Sequence, residues 1–201
     1  MIKLYTFHLS TNGRKVHMAL EEAKAAYEIS SVNLMKGEQK NPDYLKLNPN
    51  GKVPTLIDDG LVMWESVAIL LYLAEKFPAA KLLPTAPTDR ARAFQWAVWQ
   101  PTTFGAPAST LFRQMRFTPE GQRDQKVIDQ ARAEVSKNTE ILAGGLQGRD
   151  YLAGTFSIAD MALMPYLYVL AELNALPAAV DAYYKRLAAR PSWKKVLAYT
   201  G

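Results

Sequence analysis

The hydrophobic period of this chain switches repeatedly over its first 77 residues and then settles on a single value. "IKLYTF" alternates, with Ile2 and Leu4 on one face, as a half-buried strand does; Val16, Ala19, Leu20 and Ala23 then recur at the spacing of one helix face. "YEISSVNL" (27–34) reads as a second strand and "NPDYLKLNP" (41–49) as a short helical or turn segment. "PTLIDDGLVMW" (54–64) reads as two strands around the Asp59-Gly60 hairpin signal. "ESVAILLYLAEKF" (65–77) closes the region as a helix, with Val67, Leu70, Leu71 and Ala74 on its apolar face. The order β-α-β-α-β-β-α predicts a mixed four-stranded sheet between helices, an α+β unit over residues 1–77.

The stretch that follows, "PAAKLLPTAPTD", carries three prolines in twelve residues, and residues 78–88 read as a linker. From 89 to 201 only helical patterns remain, so the second unit is predicted to be all-α. Its first helix, within "RARAFQWAVWQPTTFGAPASTLFRQMRF", must be kinked or interrupted by Pro101, Gly105 and Pro107. A second carries Ile128, Ala131, Val135 and Leu142 on one face, and "SIADMALMPYLYVLAEL", apolar nearly all round, is predicted to be the central helix of the unit. "FSIADM" has the form of a capping box, Ser157 at N-cap and Asp160 at N3, and is read as structural. Two short helices end the chain.

The chain contains no cysteine, which excludes a disulfide framework, a thiolate nucleophile of its own and a Cys-containing zinc site. Sulfur chemistry, if any, must act on a ligand's sulfur. No metal site is expected: His8 and His17 stand apart, with no second ligand at metal spacing. The net charge of +5 is spread among acidic residues along helical segments, with no Lys/Arg block and no aromatic-interleaved platform, so no nucleic-acid partner is expected. The longest apolar run, "MALMPYLYVLA" (161–171), is too short to span a bilayer, and "MIKLYTF" lacks the form of a signal segment. The expectation is a cytoplasmic protein with no membrane partner.

Several residues invite two readings. Ser10, Thr11 and Asn12 sit between the first strand and first helix, where Ser, Thr and Asn are preferred N-caps. Glu65 and Ser66 open the third helix, as an ordinary cap with an acidic neighbour or as an anion site at a helix N-terminus. Pro54 begins an apolar run that otherwise reads as a strand; proline cannot donate to a ladder, so it belongs at a strand's first residue or where the backbone faces something else. Trp99, Gln100 and Phe104, beside the proline interruption, could be core or could face a cleft.

Four stretches, in order and at suitable spacing, carry a resemblance: "LSTNGRK" after the first strand, "NPNGKVPTL", "ESVAIL" and "SIAD". The whole chain resembles the cytosolic glutathione S-transferases, in particular the bacterial serine/threonine-type (theta/nu-like) members. The resemblance implies a thioredoxin-like first domain over 1–77 that binds glutathione as co-substrate. It implies that the all-helical domain contributes a second-substrate pocket, at Trp99, Gln100 and Phe104, and contacts of a homodimer. It implies a cis Val53-Pro54 bond, with the Val53 backbone pairing with the cysteinyl unit of glutathione. Glu65 and Ser66 would hold the γ-glutamyl end, and Gln39 and Lys52 the glycine end. Ser10 would offer its hydroxyl to the sulfur, with Asn12 as a second donor and Thr11 as the alternative; Tyr5, inside the strand, more naturally packs. The implied activity is attack of the glutathione thiolate on a small hydrophobic electrophile. The alternatives are a glutathione-dependent disulfide reductase or peroxidase, and a non-catalytic binding or scaffold member of the fold.

Overall fold

The computed structural model describes Met1–Gly201. Along the first region run β1 (Ile2–Thr6), α1 (Thr11–Glu22), β2 (Tyr27–Ser31), α2 (Pro42–Leu47), β3 (Thr55–Asp58), β4 (Leu61–Trp64) and α3 (Ser66–Lys76). The sheet order is β2-β1-β3-β4, with β1 parallel to β2 and antiparallel to β3, and β3 antiparallel to β4. This is the mixed four-stranded sheet of a thioredoxin-like fold. Leu4 and Leu56 are completely buried in it and meet as register partners across β1 and β3.

Local chemistry explains most boundaries. Asp59 and Gly60 both take positive φ, 46° and 90°, as a tight hairpin between right-twisted strands requires. β2 stops at Ser31, short of the predicted 34, because Asn33 turns the chain: its Oδ1 accepts from the backbone N–H groups of Met35 and Lys36. The buried stripe of α3 is Ile69, Leu70, Leu73 and Ala74, with Val67 and Leu71 only half-buried. A helix apolar on most sides offers more than one stripe, and packing chose the neighbour of the predicted one.

The second region comprises α4 (Pro87–Trp99), α5 (Gly105–Arg116), α6 (Gln125–Gly145), α7 (Ile158–Glu172) and α8 (Asp181–Ala188). Between α4 and α5 the chain makes a π-helical turn over Gln100–Phe104, where Pro101 can supply no N–H to an α-ladder, and Pro107 falls in the first turn of α5 where none is needed. α7 is buried along nearly its whole length and is the central helix of this unit. Its capping box forms as read: Ser157 Oγ accepts from Ala159 N at 3.3 Å and the Asp160 carboxylate accepts from Ser157 N at 2.8 Å.

Contacts divide the chain into Met1–Leu83 together with Arg190–Gly201, and Pro84–Ala189. The helical periodicity predicts a second domain running from 89 through to 201. Instead, α9 (Pro191–Ala198) belongs with the first unit, burying Trp193 and Val196. Arg190 forks onto Glu22 at 2.7 and 2.8 Å, Ser192 donates to the same carboxylate, and Lys195 pairs with Glu21 at 2.7 Å. These partners lie about 170 residues apart in sequence, beyond the reach of any periodicity argument.

Candidate functional site

β1 ends and the chain folds over so that Ser10 N donates to Phe7 O at 2.8 Å and Arg14 Nε to His8 O at 2.8 Å. Ser10, extended at φ −72° and ψ 114°, is the N-cap of α1, and its Oγ accepts from Gly13 N at 3.1 Å. The capping bond uses a lone pair and leaves the hydroxyl hydrogen to be donated. Gly13 is required here: a Cβ would stand 1.9 Å from Thr6 Oγ1, so only glycine lets the first turn of α1 settle on the end of β1.

The first turns of α1 and α3 are joined. Ser66 Oγ donates to Asn12 Oδ1 at 3.4 Å, and Lys15 Nζ donates to Ser66 Oγ at 3.5 Å. Ser66 is buried and Lys15 has no exposure at all. Burial pushes the Lys15 ammonium down to about 7, against the pull of the Glu65 carboxylate. Glu65 caps α3 with φ +72° and ψ 108°, a left-handed backbone that a side chain adopts at a cost of about 1–3 kcal/mol. Its own side chain is exposed and makes no capping bond.

The Val53-Pro54 bond is cis. Val53 precedes the ladder, whose rung at this end pairs Tyr5 with Thr55, and its side chain is buried with Phe7, Val32 and Tyr44. The loop that carries it is braced by groups the sequence reading did not single out. Lys52 O accepts from Tyr44 OH at 2.6 Å and Asn48 Nδ2 at 2.8 Å, and Thr55 Oγ1 bonds both side chains, at 2.9 and 3.2 Å. Buried Asn48 also turns the chain through Asn50 N at 3.1 Å. The Lys52 side chain is exposed, while Gln39 comes close to the same loop: a Cβ on Gly51 would lie 3.2 Å from the Gln39 carbonyl. Gln39 Oε1 is buried with no hydrogen-bond partner, an acceptor suited to a ligand N–H. Tyr5 packs, its ring 6.1 Å from that of Tyr44.

In the helical unit, Trp99 is half-buried and its ring lies 5.0 Å from Trp96 and 5.6 Å from Phe104. Phe104 and Gln100 have no exposed surface, so both are interior residues of their unit, and of the three pocket candidates only Trp99 presents surface. Gly105 is constrained by the same turn: a Cβ there would fall 2.8 Å from Gln100 Nε2. No cluster of three or more His, Cys, Asp or Glu side chains is placed to hold a metal, and no helix is long and apolar enough to cross a membrane.

These features agree with the relatives the chain has. Residues 1–75 match the model of the glutathione S-transferase N-terminal domain, and residues 99–191 that of the C-terminal domain. The chain is 33% identical to glutathione S-transferase GstB of Escherichia coli K12 over 98% of both chains. It is also 33% identical to the disulfide-bond oxidoreductase YfcG of Escherichia coli K12, over 98% of this chain and 94% of that one. The theta class glutathione S-transferase of Xanthomonas axonopodis pv. citri, solved with glutathione bound, superposes with a TM-score of 0.89 at 34% identity, covering 98% of this chain and 97% of its own. On sequence and structure alike, the chain belongs to the glutathione S-transferase family.

Proposed function

We propose that this protein binds glutathione on its first unit, ionises the thiol beside Ser10, and lets the thiolate attack a small hydrophobic electrophile, as a serine-type member of the family. The observation that carries the reading is the pair of helix N-termini joined through Ser66 and Asn12, with the Ser10 hydroxyl still able to donate at the head of α1. The γ-glutamyl α-carboxylate sits at the N-terminus of α3, on Ser66 and the first backbone N–H groups, and Glu65 faces the α-ammonium. The Val53 backbone, turned out of the ladder ahead of Pro54, pairs with the cysteinyl unit. Gln39, with its unpartnered Oε1, and Lys52 meet the glycine end.

The energetics are sufficient without a base. A thiol of pKa about 8.5 is only about 3% ionised at pH 7, and lowering it by about two units makes it mostly thiolate. That shift needs about 2.7 kcal/mol. A hydroxyl donating to a charged acceptor contributes about 1.5–3 kcal/mol, and a helix N-terminus about 0.3–1 kcal/mol. In the transfer step the sulfur forms a bond to the electrophilic carbon, and a leaving group such as halide departs with the electron pair of the broken bond. Trp99, half-buried where Gln100 and Phe104 are fully interior, is the remaining candidate to meet that second substrate.

A homodimer completes the reading. Leu61, Val62 and Trp64 on edge strand β4, and Phe94 and Val98 on α4, are exposed apolar side chains that a second copy would cover. Light scattering at micromolar concentration should return twice the chain mass; a monomer mass would remove this element alone.

The test of the main reading is a thermal shift at millimolar glutathione together with turnover of an aryl halide. A melting temperature that does not move, with no retention on a glutathione resin, refutes it. The likeness to a disulfide-bond oxidoreductase supports a second reading, in which the same thiolate attacks a disulfide sulfur. With no cysteine in the chain, the resolving thiol must then be a second glutathione. Turnover of a small mixed disulfide in preference to the aryl halide would favour it.

A further inference from the structure

Lys15 is part of α1, yet its side chain is fully buried, a placement lysine accepts almost only when paired. Its Nζ lies under the N-terminus of α3, 3.5 Å from Ser66 Oγ, and the charge that bears on it is the Glu65 carboxylate. Several cations on the elements packed against α1 are engaged elsewhere. Arg190 and Lys195 of α9 and its flank pair with Glu22 and Glu21, Lys76 of α3 pairs with Asp58, and Lys3 of β1 lies over the Tyr5 ring. An ammonium has donors and no acceptor. While Lys15 is charged, Ser66 Oγ must therefore accept from it, which leaves the Ser66 hydrogen for Asn12 Oδ1, 3.4 Å away. A neutral amine can accept instead, and that direction is no longer enforced.

We propose that Lys15 is the buried counter-charge of the carboxylate subsite and a positioning residue for Ser66 and Asn12, so that an anionic carboxylate binds at Ser66 together with one proton taken from solvent onto Lys15 Nζ. The inference rests on the reading of Ser66 as the glutathione carboxylate subsite. It adds a coupling: the state of one buried amine orients groups at both helix N-termini, and the ligand's charge sets that state. In the free protein the ammonium is held down to about 7, so above neutrality the amine is largely unprotonated. A bound carboxylate adds a second negative charge beside Glu65 and draws the proton in. Affinity is then greatest below pH 7 and falls as pH rises, by at most tenfold per unit for one linked proton.

Glutathione itself also releases a thiol proton on ionising, so the test uses S-methylglutathione, whose sulfur cannot ionise. Titration calorimetry at pH 8 in two buffers of different ionisation heat counts the protons taken up. The expected result for the wild type is uptake of about half a proton or more, with Kd rising about tenfold between pH 7 and pH 9. Lys15→Arg, permanently charged, should bind with no uptake and a Kd flat over that range, and Lys15→Met should bind more weakly at pH 7, also with no uptake. Wild-type binding without uptake overturns the proposal whether or not the variants fold, and so does uptake that persists in Lys15→Arg. Failure of the wild type to bind S-methylglutathione at all would instead bring down the glutathione reading and this inference with it.

Discussion

Each unit of this protein buries one ionisable side chain completely, and the two are treated in opposite ways. In the helical unit Asp160 accepts from Tyr183 OH at 2.7 Å, Ser157 N at 2.8 Å, and Leu152 N and Ser157 Oγ at 3.2 Å each. Burial nevertheless pushes its carboxyl up to about 6, with all four donors opposing the rise. In the first unit Lys15 donates to Ser66 Oγ at 3.5 Å, and the Glu65 carboxylate that bears on it is exposed to solvent. A saturated group fixes a helix start and has nothing left to give a ligand. An ammonium that burial has pushed down to about 7 responds when a new charge arrives. The difference marks where this chain keeps its packing rules and where it departs from them for the site.

The largest effect is expected for Asp160→Ala, which orphans four donors at once and should cost about 3–5 kcal/mol in urea unfolding. A loss below 1 kcal/mol would mean the network is incidental. Lys15→Met should act in the reverse sense on the ligand-free protein, stabilising it by about 1–3 kcal/mol at pH 7 through removal of an ammonium that burial disfavours. The sign with pH follows from the depressed ammonium: between pH 7 and the unfolded value of 10.5 the unfolded chain binds more protons, so wild-type stability gains as pH rises. The advantage of Lys15→Met should therefore shrink between pH 7 and pH 9, and a constant advantage contradicts the burial argument. Smaller still, Ser10→Ala should lose about 1 kcal/mol of stability from the missing cap of α1. Smallest of all, Tyr5→Phe should leave the ionisation of bound glutathione unchanged, because Tyr5 packs on Tyr44.

What could be read from sequence was what short-range pattern encodes. The Asp59-Gly60 hairpin, the capping box at Ser157 and Asp160, and the buried face of Ile128, Ala131, Val135 and Leu142 are all fixed by residues within a turn or two of each other. The cis bond before Pro54 was expected through resemblance, since only about 5% of such bonds in folded proteins are cis. The illegible parts depend on distant partners. Lys15 reads as a solvated helix lysine until α3 is laid over it, and Gly13 reads as a weak helix residue until Thr6 is found beneath it. Gln100 and Phe104, open in sequence between core and cleft, lie in the π-helical turn and are interior. Asn48 and Thr55 lie within the "NPNGKVPTL" stretch, yet only the folded loop shows that Asn48 and Tyr44 hold the Lys52 carbonyl ahead of Val53 and that Thr55 Oγ1 braces both.

The central claim is that the hydroxyl at the head of α1 holds the thiolate, and the thiolate's ultraviolet absorbance followed against pH measures it directly. Wild type should show bound glutathione ionising about two units below the free thiol's value of about 8.5. Ser10→Ala should raise that midpoint by about one to two units, at about 1.36 kcal/mol each, while weakening binding only modestly if, as proposed, Val53, Glu65 and Ser66 hold the peptide. Thr11→Ala and Asn12→Ala should move it less. If Ser10→Ala leaves the midpoint in place while Thr11→Ala or Asn12→Ala shifts it, the assignment moves by one or two residues within the same turn. If all three variants titrate like wild type, the hydroxyl does not stabilise the sulfur and the central claim is wrong.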